Sequence, residues 1–582
     1  MVASLKTRSS TIARTAAWIG PEGGAGGADA GAPEGVGDAS GEASGETSDS
    51  ANAVESATKS DFGWAIAQRI ANRCTTKARV VERVFALAVA IVSPGCTEAT
   101  HDAAGGASGR PLEVLVTSDP ETLDPRYVTD AVGMRMTRLV HAGLTRVDAT
   151  TLRPVPYLAE SLRWSSPLTL EVTLRQGLRF HGGAPFTSED VVATLGAFAS
   201  KTVASRHAST VEPIESVVAT GPYELRVVLR RPHASLLADF DLPILRHDQA
   251  SSPPDPSGMS LDGLGPFEVE ATARGETRLT PAHFGVMEAT PAHARVAIRT
   301  VHDENARAIR LYSGHADVAQ SVISPTLLPA LDGRAGLTVV TARGANLTYL
   351  VCRVDRGPLA DVRLRRALSL AVDRKTLTEA LLSHRATPAT TILPQGHWAA
   401  PPTPPPLRFD PAAARNLVGS MDAPPPRLTL LTSTDRLRMT IARTMAEELG
   451  AAGIPIEVVP LELGTLLARL NAGEFDLASL ALPELTEPNV LRVFLHSAYI
   501  PPAGSNRGRV RDKELDALLD MGDAEEDLAK RAAVYGRLEE RLAEALFIIP
   551  LWHEDQVAVV SERAKGYAPS PDGRWLSLAS LQ

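Results

Sequence analysis

Residues 427–462 read RLTLLTSTDRLRMTIARTMAEELGAAGIPIEVVPLE. RLTLLT has the character of a strand, DRLRMTIARTMAEELGAAG of an amphipathic helix stopped by Gly450 and Gly453, and IPIEVVPLE of the next strand. The spacing suits a right-handed crossover between parallel strands. GTLLARLNAG then supplies a second helix and FDLASLAL a short strand, so the alternation continues. This stretch makes the chain an α/β protein.

Further upstream the patterning differs. LEVLVT, from Leu112, is a short β-rich run. LTLEVTLRQGLRF and ELRVVLRR alternate apolar and polar residues, as strands with one wet face do. Thr187-Ser188-Glu189-Asp190 precedes VVATLGAF; hydroxyl and carboxylates there suit a helix N-terminus. Asp410-Pro411 precedes AAARNLV, with Asp as cap and Pro at the first helical position. The proline runs 401–406 and 424–426 are stiff loops, and there is no internal repeat.

The chain has 582 residues, enough for two to four domains, and is 44% hydrophobic and 22% charged, as a globular body requires. Fifty-nine basic residues against 68 acidic ones leave a net charge of -9, which argues against a nucleic-acid partner. Cys74, Cys96 and Cys352 are too far apart for a zinc knot or a disulfide framework. Cys352, in LTYLVC, reads as a buried thiol. The 14 histidines form no HxxxH or HxH pair, so no metal site is expected, and His181 in RFHGGAPFT reads as locally satisfied. There is no GxSxG, HExxH or Walker A sequence. No enzyme activity and no cofactor are expected.

The first hundred residues stand apart. Residues 1–78 form an acidic leader rich in Gly, Ala and Ser, which cannot bury enough apolar surface to fold. Residues 79–96 run from basic through apolar to small residues, the order of a secretory signal. The apolar run is shorter than the ~20 residues a membrane span needs. Its position suggests that translation begins downstream, at Val80 or Val81. Residues 97–110 read as a flexible tether.

Taken in order, further motifs resemble one family. They are SDPETLDP (118–125), His141-Ala142-Gly143-Leu144, YLAESLRW, LTLEVTLRQGLRFHGGAPFTSEDVV, GLGPFEV, LYSGHADVA, LADVRLRRALSLAVDRKTL, ILPQGHW, FDPAAARNLV and RLAEALFIIPLWH. Residues 111–582 thereby resemble the family 5 extracellular solute-binding proteins, which serve oligopeptide, dipeptide and nickel ABC importers. Ser93-Pro94-Gly95-Cys96 is similar to a lipoprotein box, with Ser93 where an aliphatic residue is usual. The resemblance implies a two-lobed α/β periplasmic-binding fold. Lobe I would take residues 111–300 and 546–582, lobe II residues 301–545, with a ligand cleft between them.

It also implies a periplasmic or cell-envelope location, anchorage through a lipidated Cys96, a monomer, a peptide or other small solute as ligand, and membrane permease subunits as partners. The family's WxxDxxDP stretch corresponds to Ala481-Leu482-Pro483-Glu484-Leu485-Thr486-Glu487-Pro488. Glu484 then becomes the acid for a ligand amine, and Glu487 a turn-setting residue. Arg353 stands where the family usually has Asn; its fork would suit a carboxylate or phosphate, unless Asp355 takes it. His141 replaces the family's Tyr, and Tyr349 and Trp398 are candidate wall aromatics. The loss of Trp at Ala481 keeps a second reading open: a sensor or degenerate scaffold that signals to a membrane partner.

Overall fold

A computed structural model of the protein describes residues 109–286, 295–334, 336–406 and 408–581. The leader, the signal-like stretch, Cys96 and nearly all of the tether lie outside the described residues.

The α/β unit read from the sequence is present. Leu428–Ser433 pairs in parallel with both Ile456–Leu461 and Leu477–Leu482, and the helices Arg436–Ala451 and Leu463–Ala472 connect them. Asp435 caps the first helix by accepting from the Arg438 amide at 2.9 Å. The helix buries Ile441, Ala442, Met445 and Leu449, which recur at the helical period on one face. Each large apolar side chain so covered contributes roughly 1.5–3 kcal/mol. The second helix ends at Gly473, whose φ of 74° suits glycine.

These strands belong to an eleven-stranded sheet. From one edge it runs Ile456–Leu461, Leu428–Ser433, Leu477–Leu482, Leu337–Cys352, Ile548–Ser561, Val318–Gln320, Leu112–Val116, Val296–Thr300, Glu276–Pro281 and Phe267–Ala273, with Ala386–Pro388 added beside Ile548–Ser561. A separate four-stranded antiparallel sheet holds Ala159–Ser166, Thr169–Leu174, Glu224–Leu229 and Ile214–Gly221. Its wet-face pattern holds: Leu170, Val172 and Leu174 are buried while the residues between them are partly exposed. The helix Ser188–Ala199 packs beside it, with the Asp190 carboxylate reaching back to the Thr187 amide at 2.8 Å.

Two lobes follow from the order of the large sheet. The first is built around Leu112–Val116 and the second around Leu428–Ser433. Two long antiparallel strands, Leu337–Cys352 and Ile548–Ser561, run through both. Their early and late halves, 337–342 and 556–561, pair with each other beside Val318–Gln320. Their other halves pair beside Leu477–Leu482 and Ala386–Pro388. The pairing is interrupted between Ala342 and Asn346. From the sequence, the crossings were expected near 300 and 546. Val318–Gln320 still pairs with Leu112–Val116, and the long strands change neighbours at 343–345 and near Asp555.

At the interruption the backbones come close. A Cβ on Gly344 would lie 1.8 Å from the Glu554 carbonyl oxygen. Only glycine fits there without displacing a strand. Gly344→Ala is therefore expected to lower stability by roughly 1–3 kcal/mol, as overpacking does. Equilibrium urea unfolding checks this, and a variant as stable as the parent would remove the steric account.

Candidate ligand site at the lobe junction

The strand Leu477–Leu482 lies antiparallel to Leu337–Cys352 and ends at the interruption. The loop that follows is pinned there. Leu485 donates its amide to the Ala345 carbonyl at 2.9 Å, and Glu484 donates its amide to Asn346 Oδ1 at 2.8 Å. Glu484 has φ 49°, in the left-handed region that non-glycine residues occupy only under local constraint. The Thr486 amide closes a tight turn on its carbonyl at 2.7 Å. Sequence predicts Glu484 as an acid on a loop; the pinned backbone holds that acid at the junction, half-buried.

A buried cation of the first lobe lies nearby. Arg574 lies within electrostatic reach of Glu484. Its guanidinium forks onto Asp241 at 2.7 and 2.9 Å and meets Asp572 at 2.6 Å. Arg138 adds a second cation to Asp241 at 2.9 Å. Burial disfavours a charged Arg574, but the surrounding acids outweigh it and raise its pKa. Ala345 donates its amide to the Pro571 carbonyl at 2.9 Å, fixing this C-terminal segment against the crossing.

Trp398 also reaches the junction. Its amide donates to the Thr151 carbonyl of the first lobe at 3.1 Å. The indole stacks on His397 at 5.5 Å, meets Tyr535 edge-on at 6.4 Å, and carries the Arg531 guanidinium 5.3 Å from its centre. Glu539, buried in the second lobe, holds the preceding turn by accepting from the Ile392 and Leu393 amides at 3.0 and 2.7 Å. Burial pulls the His397 pKa down to about 4, so the ring is neutral at pH 7. Its Nε2 then donates to the Thr486 carbonyl at 3.1 Å while Nδ1 accepts from the Ala399 amide at 3.0 Å. The Trp398 loop and the Glu484 loop are thus joined.

Glu487 does set a turn. It accepts from the Asn489 amide at 2.9 Å and pairs with the buried Arg531 at 2.5 and 3.2 Å. The remaining candidates sit elsewhere. Arg353 is buried at the far end of its strand, where it donates to Asp355 and to the Gly473 carbonyl. Its fork is satisfied locally, because Asp355 lies two residues away. Tyr349 is 3% exposed within the core of the second lobe, and burial pushes its phenol up to about 12. His141 is buried in the first lobe, where desolvation brings its pKa down to about 3, and neither ring nitrogen has a hydrogen-bond partner. His181 Nε2 is 2.8 Å from the Gly265 carbonyl, a local satisfaction. Cys352 is fully buried and its thiol pushed up to about 12. Among the described residues no group of three His, Cys, Asp or Glu is arranged to hold a metal.

Residues without a sequence signal complete the junction: Arg574, Asp241, Tyr535, Arg531 and Asn489. Each is an ordinary polar or aromatic residue in its own segment. Only the fold brings these segments together.

The family model described as "Bacterial extracellular solute-binding proteins, family 5 Middle" matches residues 153–490, more than half of the chain. The chain belongs to this family. A probable di/tripeptide-binding protein of Pseudomonas aeruginosa is 25% identical to this family 5 chain over 506 residues, covering 80% of it and 95% of the relative. A crystal structure of NikA from Brucella suis in complex with Fe(III)-EDTA superposes with a TM-score of 0.71 at 20% identity, covering 81% of this chain and 99% of that one. The oligopeptide-binding protein AppA from Bacillus subtilis, in complex with a nonapeptide, superposes with a TM-score of 0.64 at 22% identity over 81% and 98% of the two chains. The two-lobed binding-protein fold expected from the sequence is therefore the fold of this protein. No described helix is long and apolar enough to cross a membrane.

Removing Glu487 would strand a buried cation, which typically costs about 3–5 kcal/mol. Glu487→Ala should therefore destabilise the protein far more than Glu484→Ala, whose carboxylate is half-buried on a loop. Paired urea titrations check the ranking; equal losses would make Glu484 a structural residue.

Proposed function

We propose that this family 5 protein is the extracytoplasmic solute-binding component of an ABC importer. It takes a short peptide or peptide-like solute between its lobes and presents the closed form to a membrane permease, tethered to the envelope through a lipidated Cys96. The two strand crossings, at 343–345 and near 555, act as the hinge. Lobe I is then 109–342 with 555–581, and lobe II is 346–553.

The observation that carries this reading is the placement of Glu484. Its backbone is pinned to the crossing strand at the lobe junction, in a loop that resembles the family's amine-binding stretch. A buried ammonium needs such a partner, since an unpaired charge is costly to desolvate. Trp398, partly exposed on a loop that His397 ties to the Thr486 carbonyl, supplies apolar wall, with the buried Tyr535 packed edge-on behind it. The names of the Pseudomonas and Bacillus relatives support a peptide ligand.

One observation favours the second reading, a sensor or degenerate scaffold. Arg574, though paired with Asp241 and Asp572, keeps a positive charge within electrostatic reach of Glu484, so that acid does not depend on a ligand amine alone. The two readings separate in one experiment. The body is purified gently from its own host and examined by native mass spectrometry, then titrated calorimetrically with di- and tripeptides. An importer subunit should carry a peptide-sized mass. Glu484→Ala should weaken peptide binding roughly 10- to 150-fold, the equivalent of about 1.5–3 kcal/mol for a hydrogen bond to a charged group. A protein that arrives empty and binds no peptide belongs to the second reading.

A further inference from the structure

A second set of contacts spans the lobes, on residues that, Asn489 apart, neither the ligand reading nor the hinge uses. The segment Arg231–Ser235 leaves the four-stranded sheet of the first lobe after Leu229 and enters the short helix Leu236–Asp239. It is fixed to that lobe, since Thr145 donates its amide to the Phe240 carbonyl at 3.2 Å and Ile244 donates to the Ala142 carbonyl at 2.9 Å. Facing it is the end of the second-lobe helix Lys513–Ala524, whose Leu515, Leu518 and Leu519 are buried in the core of that lobe.

Asp523, one residue before the end of this helix, gathers four donors. Ala234 donates its amide to the Asp523 carbonyl at 2.7 Å. His233 Nδ1 lies 2.8 Å from Oδ1, and Arg231 meets Oδ2 at 3.3 Å. From its own lobe, Asn489 donates to Oδ1 at 2.9 Å and also reaches Ser235 Oγ across the junction at 3.1 Å. The other ring nitrogen of His233 lies 3.0 Å from Asp239 Oδ2. The imidazole is therefore held between two carboxylates, one from each lobe, and only the imidazolium can donate to both at once. An aspartate at a helix C-terminus is unfavourable beside the helix dipole, so this acid gains from a cation placed against it.

We propose that His233 and Asp523 form a latch that holds the lobes closed, and that the latch opens when His233 loses its proton. This inference concerns closure alone and stands whether or not the cleft binds peptide.

The electrostatics agree in direction. Burial lowers the His233 pKa, but hydrogen bonds and charge from Asp239 and Asp523 outweigh it and bring it up to about 9. Burial favours a neutral Asp523, and the His233 hydrogen bond overcomes this to hold it below the usual range. Burial raises Asp239 against the pull of His233. The charged groups nearby are Arg231 and Arg492, which favour an ionised Asp523, and Glu487, which disfavours an ionised Asp239. A histidine with a raised pKa contributes fully below its ordinary value near 6.5 and loses that contribution as pH rises through about 9. The latch is therefore closed at neutral pH and released in alkali. It would also add to the apparent affinity of any solute that binds the closed form.

Small-angle scattering of the full chain without added solute tests this. The radius of gyration should rise between pH 7 and pH 10 with a midpoint near 9. His233→Ala and Asp523→Asn should each give the expanded value already at pH 7, with the pH step lost. Far-UV circular dichroism at each pH reports whether a larger radius comes from opening or from unfolding. If either variant fails to fold, the titration of the parent decides. A parent radius constant from pH 7 to pH 10, or folded variants as compact as the parent at pH 7, would overturn the latch.

Discussion

The structure depends on the antiparallel pairing of Leu337–Cys352 with Ile548–Ser561. These two strands are the covalent and hydrogen-bonded spine of both lobes. A regular ladder would make that spine a rigid plank, because each paired residue fixes its neighbour. The ladder is broken at 343–345, where Gly344 lets the backbone approach the Glu554 carbonyl. The break leaves the two halves of each strand in separate register blocks, one with first-lobe neighbours and one with second-lobe neighbours. It is also where the Glu484 loop, through Leu485, and the Arg574 segment, through Pro571, attach to Ala345. The Glu484 loop and the Arg574 segment are thus fastened to the same crossing residue.

Paired charges and tied histidines surround the junction. Charges occur in groups that nearly cancel: Arg574 and Arg138 with Asp241 and Asp572, Arg531 with Glu487, His233 with Asp239 and Asp523. The buried histidines His397 and His553 have pKa values pulled down to about 4 and are tied to backbone carbonyls, so they serve as neutral donors. Such groups set shape and electrostatic balance. For the proposed solute, affinity would be the difference between the pairs it makes and those it replaces.

That difference is also where selectivity and closure meet. Contacts between the lobes, such as Trp398 with Thr151 and Ala234 with Asp523, add to the stability of the arrangement seen here. A ligand shifts the equilibrium only by its differential affinity for the two forms, so built-in contacts lessen what the ligand must supply.

Much of the fold was legible in the sequence because its signals are local. The helical period of Ile441, Ala442, Met445 and Leu449, the cap Asp410, and the alternation in Thr169–Leu174 each act within a few residues, and each appears where expected. Glu487 as a turn residue and Cys352 as a buried thiol were also readable, since a Pro neighbour and an apolar run speak for themselves. Arg353, Tyr349 and His141 show the limit. Their chemistry suits a binding site, yet Asp355, the second-lobe core and the first-lobe interior respectively surround them. What the sequence by itself determined was the set of strands and helices and the family they compose. Where the long strands change neighbours, that the Glu484 loop and the Arg574 segment meet at Ala345, and that His233 meets Asp523 were decided only by the tertiary structure, because these pairs lie far apart in the chain and no local pattern encodes contact over such separations.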